Sequence, residues 1–126
     1  MAKNVITPLV TSAIDRLAAA IQRHEGWFVG SRSYQNNNPG NIKYVGQSLA
    51  VGQDEAGFCV FATYEDGYNE LTRELTLAFA GMYGYSPTMS LYEFFAVYSP
   101  DGSGNSYAED VASQLGVSPD TELINL

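Results

Sequence analysis

The chain has 126 residues, 45% of them hydrophobic, so we expect a single domain spanning residues 1–126 around a substantial core. Its formal net charge of −8, with six Lys and Arg residues in total, argues against nucleic acid or an anionic membrane surface as a partner. One cysteine and one histidine exclude an internal disulfide and disfavour a Cys–His metal site, so we expect no metal and no cofactor.

No apolar run approaches the roughly 20 residues that a membrane-spanning helix needs. The N-terminal segment has a lysine and a proline but no clean apolar block before a cleavage site, so we expect no secretory signal. The sequence leaves the localisation open between the cytoplasm and release by lysis, a virion or a specialised secretion system.

The first helix is predicted to begin near Ser12, with Asp15 three residues on as a weak capping box, and to end at Gly26. Its apolar positions repeat at helical spacing: Ile14, Leu17, Ala18 and Ile21.

Glu25 follows Ile21 by four residues, so the helix ends its apolar face with a carboxylic acid. Burial beside Trp27 and Phe28 raises the pKa of an acid, and the negative end of the helix dipole acts in the same direction. An acid that stays protonated near neutral pH is what general-acid cleavage of a glycosidic bond requires. The alternatives are that Glu25 extends into solvent, or that Arg23 or Lys43 pairs with it.

The segment after the helix is rich in turn-forming residues and includes QNNNPGN, residues 35–41. The asparagines either form a structural loop or line a cleft that binds sugar hydroxyl and acetamido groups. Residues 42–45 and 58–61 are predicted to be short antiparallel strands. The polar residues 53–55 lie in the loop between them. Cys59, in an apolar run, is predicted to be a buried structural thiol.

Three further helices are predicted from their caps, which are Thr63, Ser90 and Ser106. Gly116 ends the last of them, and Ser118-Pro119 begins a final short turn or helix. The order of helix, small hairpin and further helices predicts an α+β fold that is mainly α.

Four segments together resemble a family of phage and bacterial lysozyme-like proteins. They are AIQRHEGWFVGSRSYQNNNPGNIKY, GFCVFATYEDGYNELTREL, VYSP and GNSYAEDVASQLGVSPDTEL, which cover nearly the whole chain after residue 13. The resemblance implies a lysozyme-like fold, related to goose-type lysozymes and lytic transglycosylases, with a small β-hairpin after the first core helix. It also implies that the acid at the end of that helix protonates the glycosidic oxygen.

By that resemblance Glu25 is the general acid of a peptidoglycan-cleaving glycosidase, which acts on the bond between N-acetylmuramic acid and N-acetylglucosamine. A hydrolase of the inverting type also needs a second carboxylate, for which the hairpin loop offers Asp54 and Glu55. A lytic transglycosylase needs none. The expected substrate-binding residues are Trp27, Asn38, Asn41, Tyr64 and Tyr98.

Two other classes of protein stay open. One is a non-catalytic glycan-binding or virion structural protein that retains the lysozyme-like fold, and the other is a helical interaction protein with an acidic surface. For the enzyme we expect a monomer whose partner is peptidoglycan or a related aminosugar polymer.

Overall fold

The computed structural model describes residues 8–126 and shows a mainly helical chain with one small antiparallel sheet, which confirms the predicted α+β class. The helices are α1 (Pro8–Glu25), α2 (Arg32–Gln35), α3 (Tyr64–Phe79), α4 (Leu91–Tyr98) and α5 (Gly104–Leu115), followed by a 3₁₀ helix (Leu123–Asn125). The two strands are β1 (Ala50–Gln53) and β2 (Cys59–Phe61).

Helix α1 lies at the centre of the packing, because it contacts both α3 and α5 while α4 packs on α5. The apolar stripe predicted for α1 is buried over its whole length, which confirms the helical spacing. The same core contains Leu71 and Leu75 of α3 and Phe94 and Phe95 of α4. The end of α1 is therefore held against elements from both halves of the chain.

The ends of α1 match the sequence prediction at one terminus only. Gly26 adopts a φ of +83°, the left-handed conformation expected of a residue that follows a helix. The beginning was predicted wrongly, because the helix starts at Pro8 and Ser12 lies inside it. Proline is well suited to the first turn, since its missing N–H would have no helical partner there.

The predicted strand over residues 42–45 is also wrong. This segment forms only one isolated bridge, between Lys43 and Phe58, and the strand that pairs with β2 is β1. The Asn38 side chain accepts a hydrogen bond from the Ile42 N–H and donates one to the Ile42 carbonyl. Gly46, with a φ of +91°, then turns the chain away from β2. Antiparallel pairing of β2 was predicted correctly, and Cys59 on β2 is fully buried.

The helix caps after the sheet were predicted correctly in two cases of three. Thr63 caps α3 by accepting a hydrogen bond from the Asp66 N–H, and Ser90 forms a full capping box with Glu93. Ser106, however, lies inside α5, which begins at Gly104. A Cβ at Gly104 would come within 2.9 Å of the Phe95 carbonyl oxygen, so the first turn of α5 packs closely on α4.

Within residues 8–126, no helix combines the length and the apolar character needed to cross a lipid bilayer.

Gly67 allows the asparagine-rich loop to sit directly on α3. A Cβ at this position would overlap the carbonyl oxygen of Asn37 and would also come within 2.9 Å of Pro39. Because a backbone atom cannot move aside as a side chain can, the contact requires glycine. The loop and α3 therefore fix each other's position.

We predict that Gly67→Ala lowers the free energy of unfolding by about 2–3 kcal/mol, because the added methyl group forces the loop off α3. Chemical denaturation with the linear extrapolation method measures this change. Gly52→Ala is the matched control, since a Cβ there meets no atom within 4 Å. Equal effects of the two substitutions would contradict the proposed contact.

Candidate active site

Glu25 is the last residue of α1 and is half-buried, and its carboxyl group accepts two hydrogen bonds. The Tyr107 hydroxyl, on α5, donates to Oε2 at 2.7 Å, and the Asn41 amide donates to Oε1 at 3.2 Å. Of the two basic residues considered as partners, Arg23 bonds to Gln114 and Lys43 to the Ala56 carbonyl. Neither therefore neutralises Glu25.

Burial raises the pKa of the Glu25 carboxyl above its usual value of 4.5. The hydrogen bonds from Tyr107 and Asn41 and the charge of His24 lower the pKa, because each favours the ionised form, but their combined effect is smaller than that of burial. The nearby carboxylate of Asp101 raises it further. Glu25 therefore retains a proton at a higher pH than an exposed glutamic acid does.

Tyr107 is itself held rigidly from both faces of its ring. His24 stacks on one side with ring centroids 3.7 Å apart, and Phe95 stacks with a centroid distance of 4.2 Å. His24 Nδ1 lies 2.8 Å from Asp110 Oδ2, which fixes the imidazole in turn. The hydroxyl that meets Glu25 is consequently positioned by side chains from α1, α4 and α5.

Asn41 reaches Glu25 from the asparagine-rich loop, with its backbone in the left-handed region at a φ of +49°. Its Oδ1 atom is buried and has no hydrogen-bond partner, the one such side-chain atom found in the described part of the chain. Rotation of the amide by 180° would bring Oδ1 to the carboxyl group, where it accepts a hydrogen bond only from the protonated acid. The two amide orientations thus suit the two protonation states of Glu25.

The other asparagines of the loop have structural roles. The Asn38 amide is fully buried and is used entirely by the backbone of Ile42 and Cys59, so this side chain supports the loop instead of contacting a ligand. Asn37 donates to the Phe61 carbonyl, and Asn36 donates to Asp54. The structural-loop hypothesis therefore applies to these three asparagines, while Asn41 lines the cleft and reaches the acid.

A cleft of about 430 Å³ opens beside Glu25. Tyr98 lines it, as predicted, with its hydroxyl donating to the Gly40 carbonyl at 3.0 Å. The polar and charged side chains of its lining are those of Glu25, Asn41, Lys43, Gln47, Glu74, Tyr85, Tyr98, Ser99, Asp101 and Tyr107. The carboxyl group of Glu25 thus adjoins a cavity large enough for a sugar ring.

Asp54 and Glu55, predicted as the second carboxylate, are not among the residues that line this cleft. Asp54 instead organises the β1–β2 turn: Oδ1 accepts the N–H groups of Ala56 and Phe58, and Oδ2 accepts from Asn36. These bonds hold the pKa of Asp54 below its usual value. Glu55 is exposed at the tip of the turn.

Trp27 and Tyr64, predicted to bind substrate, likewise lie outside the lining of the cleft. Their rings contact each other with centroids 5.1 Å apart, and the Tyr64 hydroxyl donates to Gln22. They form an aromatic cluster with Tyr34 and Tyr68.

Two carboxyl groups that the sequence did not indicate as site residues line the cleft, Asp101 and Glu74. Asp101 Oδ1 accepts hydrogen bonds from the backbone and hydroxyl of Ser103, which lower the pKa of Asp101 and keep it ionised. Burial and the neighbouring Glu70 raise the pKa of Glu74 to about 7. The available signal for Glu74 was its place between Arg73 and the buried Leu75, an acid at the border of the α3 apolar stripe.

Comparisons with protein-family models, with curated proteins and with solved structures find no match for this chain.

The raised pKa of Glu74 predicts how the stability of the protein depends on pH. The folded state binds this proton more tightly than the unfolded chain does. Protonated Glu74 therefore contributes to the free energy of unfolding fully below about pH 4.5, and this contribution is lost as the pH rises through about 7. We predict that Glu74→Gln removes this loss, so that the variant gains up to about 3 kcal/mol over the parent protein near pH 8 but not near pH 4. Urea unfolding at several pH values measures the difference, and a constant difference would contradict burial of the ionised group.

Proposed function

We propose that the protein is a peptidoglycan-cleaving glycosidase, a muramidase or a lytic transglycosylase, in which Glu25 is the general acid. The observation that carries the proposal is the position of one carboxyl group, which is half-buried, has a raised pKa and adjoins a cleft that fits a sugar ring. A buried acid with a perturbed pKa in a cleft is characteristic of catalytic sites.

The order of elements supports a lysozyme-like architecture as part of this proposal. A core helix ends at the acid, a small hairpin follows, and three longer helices complete the chain. The asparagine-rich loop between the acid and the hairpin brings Asn41 to Glu25.

In the proposed reaction the protonated Glu25 transfers its proton to the glycosidic oxygen, and the bond to the leaving sugar breaks. Tyr107 and Asn41 then stabilise the carboxylate that forms, because both donate hydrogen bonds to it. This arrangement favours catalysis, since burial favours the protonated acid before transfer and the two donors stabilise the carboxylate after it.

The two types of enzyme differ in what attacks the positively charged sugar carbon as the glycosidic bond breaks. In an inverting hydrolase a second carboxylate activates water, and Asp101 fits this role because it is ionised, lines the cleft and acts electrostatically on Glu25. In a transglycosylase a hydroxyl group of the substrate attacks and leaves an anhydro sugar. Both types begin with the same proton transfer from Glu25.

We predict that Glu25→Gln lowers peptidoglycan cleavage by about 1,000-fold, because glutamine has the same shape but no proton to donate. Mass spectrometry of the soluble muropeptides measures the loss and separates reducing ends from anhydro ends. Glu65→Gln is the matched control, since Glu65 is an exposed acid in the first turn of α3 and does not line the cleft.

Full activity of the Glu25→Gln variant would refute the assignment of the acid. Binding of peptidoglycan by a parent protein that releases no fragments would instead favour a non-catalytic glycan-binding or virion structural protein.

We further predict that Tyr107→Phe lowers activity by about tenfold and moves the alkaline limb of the pH profile to higher pH. The hydroxyl hydrogen bond lowers the pKa of Glu25, so its removal raises that pKa and the acid keeps its proton longer. Tyr68→Phe is the control, because its hydroxyl bonds to Asp15 and Tyr68 does not line the cleft. A limb that stays in place or moves to lower pH would show that Tyr107 does not tune the acid.

A further inference from the structure

A second cavity, of about 630 Å³, adjoins the cleft beside Glu25. The two cavities share four lining residues, which are Val45, Gln47, Glu74 and Tyr85. The two cavities are therefore adjacent, Glu74 lines both of them, and together they are called the groove below. A polymer bound with one unit at Glu25 would pass Glu74 with a neighbouring unit.

The Glu74 carboxyl group has no hydrogen bond or ion pair with any residue of the described chain. Its neighbour Glu70, by contrast, is almost fully buried and pairs with Arg73, with 3.0 Å between Oε2 and Nη1. Glu74 is thus a half-buried acid with an acidic neighbour, and the cation that acts on it, Arg73, is paired with Glu70. Such a group is costly to ionise unless a ligand supplies the missing partner.

The charges around the groove favour a cation as that partner. Four acids line it, Glu25, Glu70, Glu74 and Asp101, against two basic residues, Lys43 and Arg73.

Both basic residues are already engaged. The Lys43 ammonium bonds to the Ala56 carbonyl and lies 4.0 Å from the centre of the Phe58 ring, while Arg73 pairs with Glu70. Acids thus outnumber basic residues in this lining, and each basic residue already has a partner, which favours a cationic ligand over an anionic one.

A metal ion is a poorer fit than an organic cation. No three His, Cys, Asp or Glu side chains in residues 8–126 are grouped so that they could hold a metal ion. A single carboxylate that lines both cavities suits an ammonium group, which makes a short charge-assisted hydrogen bond.

We propose that the groove binds a glycan strand that carries a primary ammonium group, and that the Glu74 carboxylate pairs with this ammonium. The inference rests on the proposed function for the identity of the polymer and deepens it by naming the charge that the polymer carries. Two sources supply the same chemistry: the C2 amine of an N-deacetylated sugar, and the side-chain amine of a dibasic residue in the stem peptide.

The test is isothermal titration calorimetry on the Glu25→Gln protein, in which the ligand is not consumed. The probes are the glucosamine hexamer, the N-acetylglucosamine hexamer, and a stem-peptide muropeptide with its side-chain amine either free or acetylated. Glu74→Gln and Glu65→Gln are each added to this background. They remove the same charge from the same helix, but Glu65 is exposed and does not line the groove.

We expect at least one probe with a free amine to bind about tenfold more tightly than its acetylated counterpart. This preference should vanish with Glu74→Gln and persist with Glu65→Gln. A preference limited to the glucosamine hexamer assigns the ammonium to the sugar, and one limited to the muropeptide assigns it to the stem peptide. Near-UV circular dichroism verifies that both variants are folded.

Equal affinity for free and acetylated probes, or a preference that survives Glu74→Gln, would overturn the proposal. Failure of the proposed catalytic function has a different signature, because a parent protein that releases no fragments can still show the amine preference. Conversely, cleavage of peptidoglycan with no preference for amines would leave the catalytic proposal standing and remove this one.

Discussion

The proposed chemistry depends on the partial burial of one carboxyl group at the point where helix α1 ends. Glu25 continues the apolar stripe of α1, so the packing that buries the stripe also buries the acid. Tyr107 and Asn41 compensate part of the cost, since each donates a hydrogen bond to one carboxyl oxygen. The raised pKa of Glu25 is the net result of this incomplete compensation, and the proposed role as a general acid depends on it.

The rest of the molecule supports this arrangement from two directions. Helix α5 brings Tyr107, whose ring is clamped between His24 and Phe95. The asparagine-rich loop brings Asn41, and this loop is fixed by the fully bonded Asn38 and by its close contact with Gly67 of α3. Most of the loop's amides therefore hold its shape so that one of them can reach the acid.

The features that were predictable from the sequence are those set by local rules. Helical spacing identified both the buried face of α1 and the acid on it, and Thr63, Ser90 and Gly116 marked helix ends correctly. The position of β1 was missed because residues 42–45 make only an isolated bridge to Phe58, and the pairing of β2 with residues 50–53 is a tertiary contact that the local pattern does not indicate. Glu74 and Asp101 were missed as cleft residues because only tertiary packing brings α3 and the loop before α5 to the same cavity.

Two buried acids also cost stability, which is a common feature of functional sites. Glu25 and Glu74 both have raised pKa values, yet only Glu25 has hydrogen-bond donors that stabilise its ionised form. Glu25 thus has donors that stabilise it once its proton is lost, whereas Glu74 accepts no hydrogen bond from the described residues.

The most direct test of the central claim is the pKa of Glu25 itself, measured by carbon-detected NMR titration of the glutamate carboxyl signals. The Glu25→Gln variant identifies the signal by its disappearance. The account predicts a titration midpoint clearly above the usual value of 4.5. A midpoint at or below that value would show that hydrogen bonding outweighs burial, and Glu25 would then be ionised at neutral pH and unable to act as the acid.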